Sequence, residues 1–400
     1  MVVVTGIGLI APHGDHPRTV FDAVMRGASA VRPVFPELAK PAAAAIAPFD
    51  ESRWFTKLQL PGVDRVSQIA VAAAALAVED AGGADAAPER IGVFVGCGMG
   101  GAAALETAYL AAPRGGRVPP LTVPAFMPNA PAAHIAMRHH ALGPVLTYSV
   151  ACASSAVALA EAARAVRRGD VDVAIAGGAE ALIVPGVVSA WQALQTLAAF
   201  KPGEAAHACR PFATDRSGFV LGEGAAFVVL ESASHARARG ARAHAELAGC
   251  GIGSDATHLT KPDAQGQART LRAALADAGL QPRDVGYCNA HGTATKIGDM
   301  IESQALGTVW GSAIDTLHVS STKALHGHLL GAAGALEAVI TILALQHRQL
   351  PPNAHCASPD PQCALNLVLE AGVRSSDLQA AVSSSFAFGG TNAVLAFKRV

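Results

Sequence analysis

Three side chains far apart in the chain, Cys152, His291 and His328, are of the types that carry out acyl transfer together. Cys152 stands in "LTYSVACASSAVALAEAARAVRRGD", residues 146–170, between an apolar run and a long helical pattern. A thiol at a strand-to-helix turn lies by the helix N-terminus, where the dipole and free N–H groups favour the thiolate. The small neighbours Ala151, Ala153, Ser154 and Ser155 permit a sharp turn and the approach of a substrate. Burial as ordinary core is the usual fate of a cysteine, and that reading stands for Cys97, Cys209, Cys250, Cys288, Cys356 and Cys363. His291, in "CNAHGTATKIGD", follows an apolar strand in a Gly/Thr-rich loop that leads into a helix. "SSTKALHGHLLGAAGALEAV", residues 320–339, repeats that context with Lys323 and His328. A cysteine that takes an acyl group, beside imidazoles that stabilise charge on a second substrate, suits acyl transfer. A fourth element is "SSSFAFGGTNAVLAFK", residues 383–398. There Gly389 and Gly390 after Phe388 free the backbone to aim N–H groups into a cavity, and ordinary packing of the phenylalanines is the alternative.

Apolar β-rich runs alternate with alanine-rich helical patterns, which predicts α/β layers with helices packed on sheets. Predicted strands cover 2–10, 91–97, 145–150, 171–177, 224–231, 244–252, 285–290, 317–322 and 381–388. Predicted helices cover 66–81, 153–168, 267–279, 299–310 and 332–347. Several strands are apolar throughout, as when both faces of a sheet are covered. Two halves, roughly 1–240 and 241–400, each run strand, helix, strand, helix, with Cys152 in the first and both histidines in the second. With no linker between them, they read as one unit.

The composition excludes several classes. The chain has 400 residues, 51% hydrophobic and 15% charged, with a formal net charge of −1. That is far from the disordered profile and offers no basic stripe for nucleic acid. The run "IAVAAAALAV" is about half the ~20 residues that a membrane span needs. "MVVVTGIGLIAPHG" reads as a strand rather than a signal peptide. Seven cysteines without regular spacing favour reduced thiols and a cytoplasmic location. His326 and His328 lie two apart in a loop with no nearby carboxylate or thiolate set, so no metal site is expected.

Seven stretches in order resemble the β-ketoacyl-acyl-carrier-protein synthases of the condensing-enzyme (thiolase-fold) family, in the branch with a Cys-His-His site. They are "VVVTGIGLIAPHG", "VACASSAVAL", "VAIAGGAEA", "CRPFATDRSGFVLGEGAAFVVLE", "NAHGTATKIGDMIESQAL", "SSTKALHGHLLGAAGALEA" and "SSFAFGGTNAVLAF", and they span nearly the whole chain. The resemblance implies a five-layered αβαβα fold of two pseudo-duplicated halves. It also implies a decarboxylative Claisen condensation that lengthens a carrier-bound acyl chain by two carbons. On this resemblance Cys152 is the nucleophile, and His291 and His328 hold the malonyl thioester carbonyl. Lys323 orients the site around His328. The N–H groups of Cys152 and Phe388 form the oxyanion hole, and Phe388 is also a gate. Asp299 and Glu337 support these groups from behind. Thr293, Thr295 and Phe386 contact the phosphopantetheine arm or substrate. No separate cofactor is implied, since the substrates ride on the phosphopantetheine of acyl-carrier protein. The implied assembly is a homodimer, or a heterodimer with a chain-length-factor-like subunit.

Three departures from the family pattern bear on substrate choice. Lys296 stands where Pro is usual after the second Thr of the HGT motif. Pro61-Gly62 takes the place of bases that dock an acidic carrier protein, with Arg53, Lys57 and Arg65 nearby. Trp191, in the atypical segment 182–200, falls near the acyl pocket; plain core packing is its alternative. A rival reading is a non-catalytic or chain-length-setting partner subunit, which would lack the nucleophilic cysteine. A degradative thiolase would need a second cysteine in "FAFGGTN", where none stands.

Overall fold

Two runs of strands with the same spatial order build the molecule, which is described by a computed structural model covering residues 1–38, 42–370 and 372–400. The strands are β1 (Val2–Ile10), β2 (Val31–Val34), β3 (Ala42–Ala45), β4 (Ile91–Gly96), β5 (Val145–Tyr148), β6 (Val173–Glu180) and β7 (Leu221–Gly222). They continue with β8 (Gly224–Ser232), β9 (Ala245–Ser254), β10 (Tyr287–Asn289), β11 (His318–Ser320), β12 (Asn366–Leu367), β13 (Ala380–Phe386) and β14 (Thr391–Lys398). The first half is ordered β5-β4-β6-β8-β1, and the second repeats it as β11-β10-β13-β14-β9 with β12 added at the edge. Pairing directions repeat as well: β5, β4 and β6 are parallel, as are β11, β10 and β13. The last two strands of each half are antiparallel. The half-sheets meet where β1 pairs with β9 through Val3↔Glu246 and Val4↔Ala245, so hydrogen bonding runs through eleven strands.

Helices fill the remaining three layers. Arg65–Asp80 and Ala130–His139 cover the outer face of the first half-sheet, and Ala264–Ala278 with Lys296–Trp310 covers the second. Ser154–Arg168 and Ala333–His347 lie between the half-sheets and against each other. Ala333 through Leu345 are all buried, as expected for a helix with sheet on two sides. Leu330–His347 is long and apolar enough to cross a membrane, but 89% of it is buried inside the protein, which makes it a core helix. The two central helices approach closely at Gly334. A Cβ there would lie 2.8 Å from the Ala156 Cβ, leaving no room for a side chain.

The three-stranded sheet β2-β3-β7 packs beside this frame. Its strand β3 is a bare alanine run, fully buried, and nothing in its composition predicts a strand. Strand β14 is absent from the predicted strands, which end at 381–388. Antiparallel pairing with both β13 and β9 makes it a central strand.

Candidate active site

Cys152 lies in a single 3₁₀ turn, Ala151–Ala153, between β5 and the helix Ser154–Arg168. Ala151 takes φ 47°, a strained value for a residue with a Cβ, and this sharp bend turns the sulfur out of the chain's path. The second half uses the same device: Leu330, at φ 47°, opens the turn Leu330–Ala332 before the helix Ala333–His347. His328 lies two residues before that turn. Its Nδ1 accepts the Leu330 N–H at 3.3 Å, so the ring proton resides on Nε2, which faces the Cys152 Sγ at 3.0 Å. His291, on the loop after β10, places its ring 5.4 Å from that of His328 at an 81° tilt. The three potential ligand atoms of this cluster lie within 4.8 Å of one another.

Burial sets the charge states. It holds His291 and His328 well below the ordinary imidazole value, and the Lys323 charge pushes the same way, so both rings are neutral. Burial also pushes the Cys152 thiol up to about 12. Here the structure departs from the sequence expectation that the helix N-terminus yields a thiolate. Lys323 and the Phe388 N–H, which points at the sulfur, act in the expected direction but do not overcome the loss of water.

Lys323 itself is fully buried and pairs with the equally buried Glu337 at 2.5 Å. Asp299 accepts the N–H groups of Phe212 at 2.8 Å and Ala294 at 3.1 Å, bracing the loop after His291. Thr295 caps the helix Lys296–Trp310, and its Oγ1 lies 3.1 Å from that of Thr293.

A cavity of about 540 Å³ opens onto the cluster. Its walls include Cys152, His291, His328, Thr293, Thr295, Phe386, Phe388 and Trp191, while Lys323, Asp299 and Glu337 lie behind them. Trp191 stacks on Phe388 at 6.2 Å and meets Phe219 edge-on at 5.4 Å. Phe219 in turn meets His328 edge-on at 5.3 Å. Lys296 is exposed and belongs to the cavity wall.

Two buried carboxyls beside the site, Glu302 and Glu180, escape the sequence reading. Glu302 accepts the N–H of His291 at 2.8 Å and of Gly292 at 2.7 Å, which fixes the histidine's backbone. Its position three residues after Asp299 puts both acids on one helix face, and that spacing is the available signal. Glu180, at the end of β6, accepts N–H groups from Gly98, Met99 and Gly331.

Burial lifts the Glu302 carboxyl to about 7, so the folded protein keeps a proton that the unfolded chain gives up above about 4.3. That contribution to stability is complete below the unfolded value and is lost as pH rises through about 7. Urea unfolding of Glu302→Gln and the parent from pH 5 to 8 is expected to show the parent losing ground with rising pH. A pH-independent difference would contradict this.

The sequence matches the family described as Beta-ketoacyl synthase, N-terminal domain, over residues 1–236, and Beta-ketoacyl synthase, C-terminal domain, over 244–357. It is 40% identical over 407 residues to Nodulation protein E of Rhizobium sp. (strain N33), covering 100% of this chain and 99% of that one. It is 38% identical over 410 residues to 3-oxoacyl-[acyl-carrier-protein] synthase 2 of Staphylococcus aureus (strain N315), covering 100% and 98%. The solved ishigamide ketosynthase/chain length factor superposes with a TM-score of 0.93 at 32% identity, covering 100% and 99%. The chain belongs to the β-ketoacyl synthase family. Its Cys-His-His cluster on a thiolase-like fold is that of an acyltransferase.

Proposed function

We infer that the protein is a ketosynthase that joins a Cys152-bound acyl group to a malonyl group carried by acyl-carrier protein, with loss of CO₂. The observation that carries this reading is the 3.0 Å contact between Cys152 Sγ and His328 Nε2 on a cavity wall shared with His291. In the first step Cys152 attacks a carrier-bound thioester. The acyl group moves to sulfur, and the thiol proton leaves with the pantetheine thiol. In the second, the malonyl carboxylate departs as CO₂, and its electron pair forms an enolate whose oxygen takes hydrogen bonds from the two neutral imidazoles. The enolate carbon then attacks the Cys152 thioester, and collapse of the tetrahedral adduct expels the Cys152 thiolate, which takes a proton from water to restore the thiol. Donors aimed at oxygens that become charged stabilise the transition state more than the ground state.

The N–H groups of Phe388 and Cys152 serve the adduct's oxygen, and Phe388 is the gate. Thr293, Thr295 and Phe386 guide the pantetheine arm. Lys323 and Glu337 form a buried pair that fixes the field on the imidazoles, with Asp299 bracing the His291 loop. No cofactor beyond the carrier's own arm enters this scheme. Residues 1–240 and 241–400 act as its two halves, one bringing sulfur and the other both imidazoles.

The partner reading adds acyl-carrier protein and a second subunit, either a copy of this chain or a chain-length-factor-like one. Strand β5 closes one end of the sheet with Val145 39% and Leu146 45% exposed, an apolar edge suited to such pairing. For carrier docking, Arg65 is already tied to Glu223 at 2.6 Å and Arg53 to Asp15 at 2.9 Å. Lys57 is exposed, so docking is shifted away from 60–65. A cytoplasmic location accords with seven free, buried cysteines.

The test is intact-mass analysis after incubation with a panel of acyl-carrier thioesters. Mass increments on Cys152 support the reading, and a protein that loads none refutes it. Trp191, stacked on the gate, limits the chain that loads. Trp191→Ala is expected to extend loading by two or more carbons, and an unchanged loading profile would rule this role out.

A further inference from the structure

Glu180 is fully buried, carries a carboxyl that no cationic side chain among the described residues contacts, and has no part in the scheme above. A buried acid held without a cation requires an explanation. Its Oε2 accepts the Gly98 N–H at 2.8 Å and the Gly331 N–H at 3.0 Å, and its Oε1 accepts the Met99 N–H at 3.2 Å. These donors come from opposite halves of the molecule. Gly98 belongs to the loop after β4, which is bonded to the strand leading to Cys152. The Cys97 N–H reaches the Tyr148 carbonyl at 3.1 Å, and the Ser149 hydroxyl donates to the Gly98 carbonyl at 3.0 Å. Gly331 follows Leu330, whose N–H fixes the His328 ring.

The fit is close on every side. A Cβ on Gly331 would lie 2.5 Å from the Glu180 Oε2 and 2.5 Å from the Gly98 nitrogen. The carboxyl therefore sits between the segment that presents the sulfur and the turn that orients its histidine. Both oxygens accept, which an amide cannot reproduce, because its NH₂ would face the Met99 N–H.

We propose that Glu180 is a positioning residue for acyl transfer, clamping the loop 97–99 and the turn 330–332 so that the Cys152 sulfur and the His328 ring hold their 3.0 Å contact. The proposal rests on the ketosynthase reading. A misplacement of about 1 Å costs on the order of 100-fold in rate. The experiment measures single-turnover loading of Cys152 from an acyl-carrier thioester by intact mass, for the full chain and for Glu180→Ala and Glu180→Gln. Circular dichroism checks folding. The alanine variant is expected to load about 100-fold more slowly with half-saturation unchanged within about threefold. The glutamine variant is expected to recover roughly tenfold, since its oxygen still serves Gly98 and Gly331. A loading rate within about threefold of the parent in any folded variant overturns the proposal. So does a loss that appears in half-saturation rather than in rate. If the alanine variant does not fold, the glutamine variant decides by the same criteria. Failure of the parent to load would instead condemn the ketosynthase reading.

Discussion

Cys152→Ala is expected to lower acyl transfer from a carrier thioester by about 10⁴-fold or more while leaving the fold intact. In the proposed reaction the sulfur is the atom that forms the covalent bond, so no neighbouring group replaces it. Removing it costs little stability, because the side chain is small and lies on a cavity wall with 7% of its surface exposed. Loading and condensation should vanish together, while unfolding by urea shifts by less than about 1 kcal/mol. Condensation retained in this variant would remove Cys152 from the reaction.

Lys323→Ala is expected to be the most destabilising single change at the site, by about 3–5 kcal/mol. Lys323 and Glu337 are both fully buried, and deleting the cation leaves the carboxyl alone in a medium without water. Glu337 already sits at about 7 because burial lifts it against the pull of Lys323. Without that pull it rises further and takes up a proton. Chemistry suffers as well. Lys323 lowers both imidazoles and the thiol, so its loss raises the Cys152 thiol further and makes the imidazoles easier to protonate. The double variant Lys323→Met/Glu337→Leu is expected to recover most of the stability but not the activity. A loss below about 1 kcal/mol in urea unfolding of Lys323→Ala would show that the pair does not hold the core.

The three clustered side chains are legible in the sequence because each stands at a junction that composition marks. An apolar strand ends, small residues follow, and a helix begins; this holds for Cys152, His291 and His328. The central strands and helices are equally legible, since sheet covered on both faces leaves apolar runs such as β4, β6 and β8. What escapes is set by partners far away in the chain. Strand β3 is only alanine, and pairing with β2 and β7 makes it a strand. The surface helices Ala102–Ala111 and Pro185–Ala193 lack a clear polar face. Glu180 escapes because backbone N–H groups carry no signature of what they bond, and Glu302 is marked only by its spacing from Asp299. The thiol's high value escapes too, since local spacing reports a nearby helix end but not how much water the folded chain removes.

The seam between β1 and β9 consists of two residue pairs, so the strand ladder alone joins the halves over only a short stretch. The central helices Ser154–Arg168 and Ala333–His347 therefore act as the shaft on which the machine is aligned, and each carries one jaw of the sulfur–imidazole gap at its N-terminal end. Wear anywhere along that shaft, even at Gly334 and Ala156 where its two rods touch, widens the jaws and slows turnover without altering any group that meets the substrate.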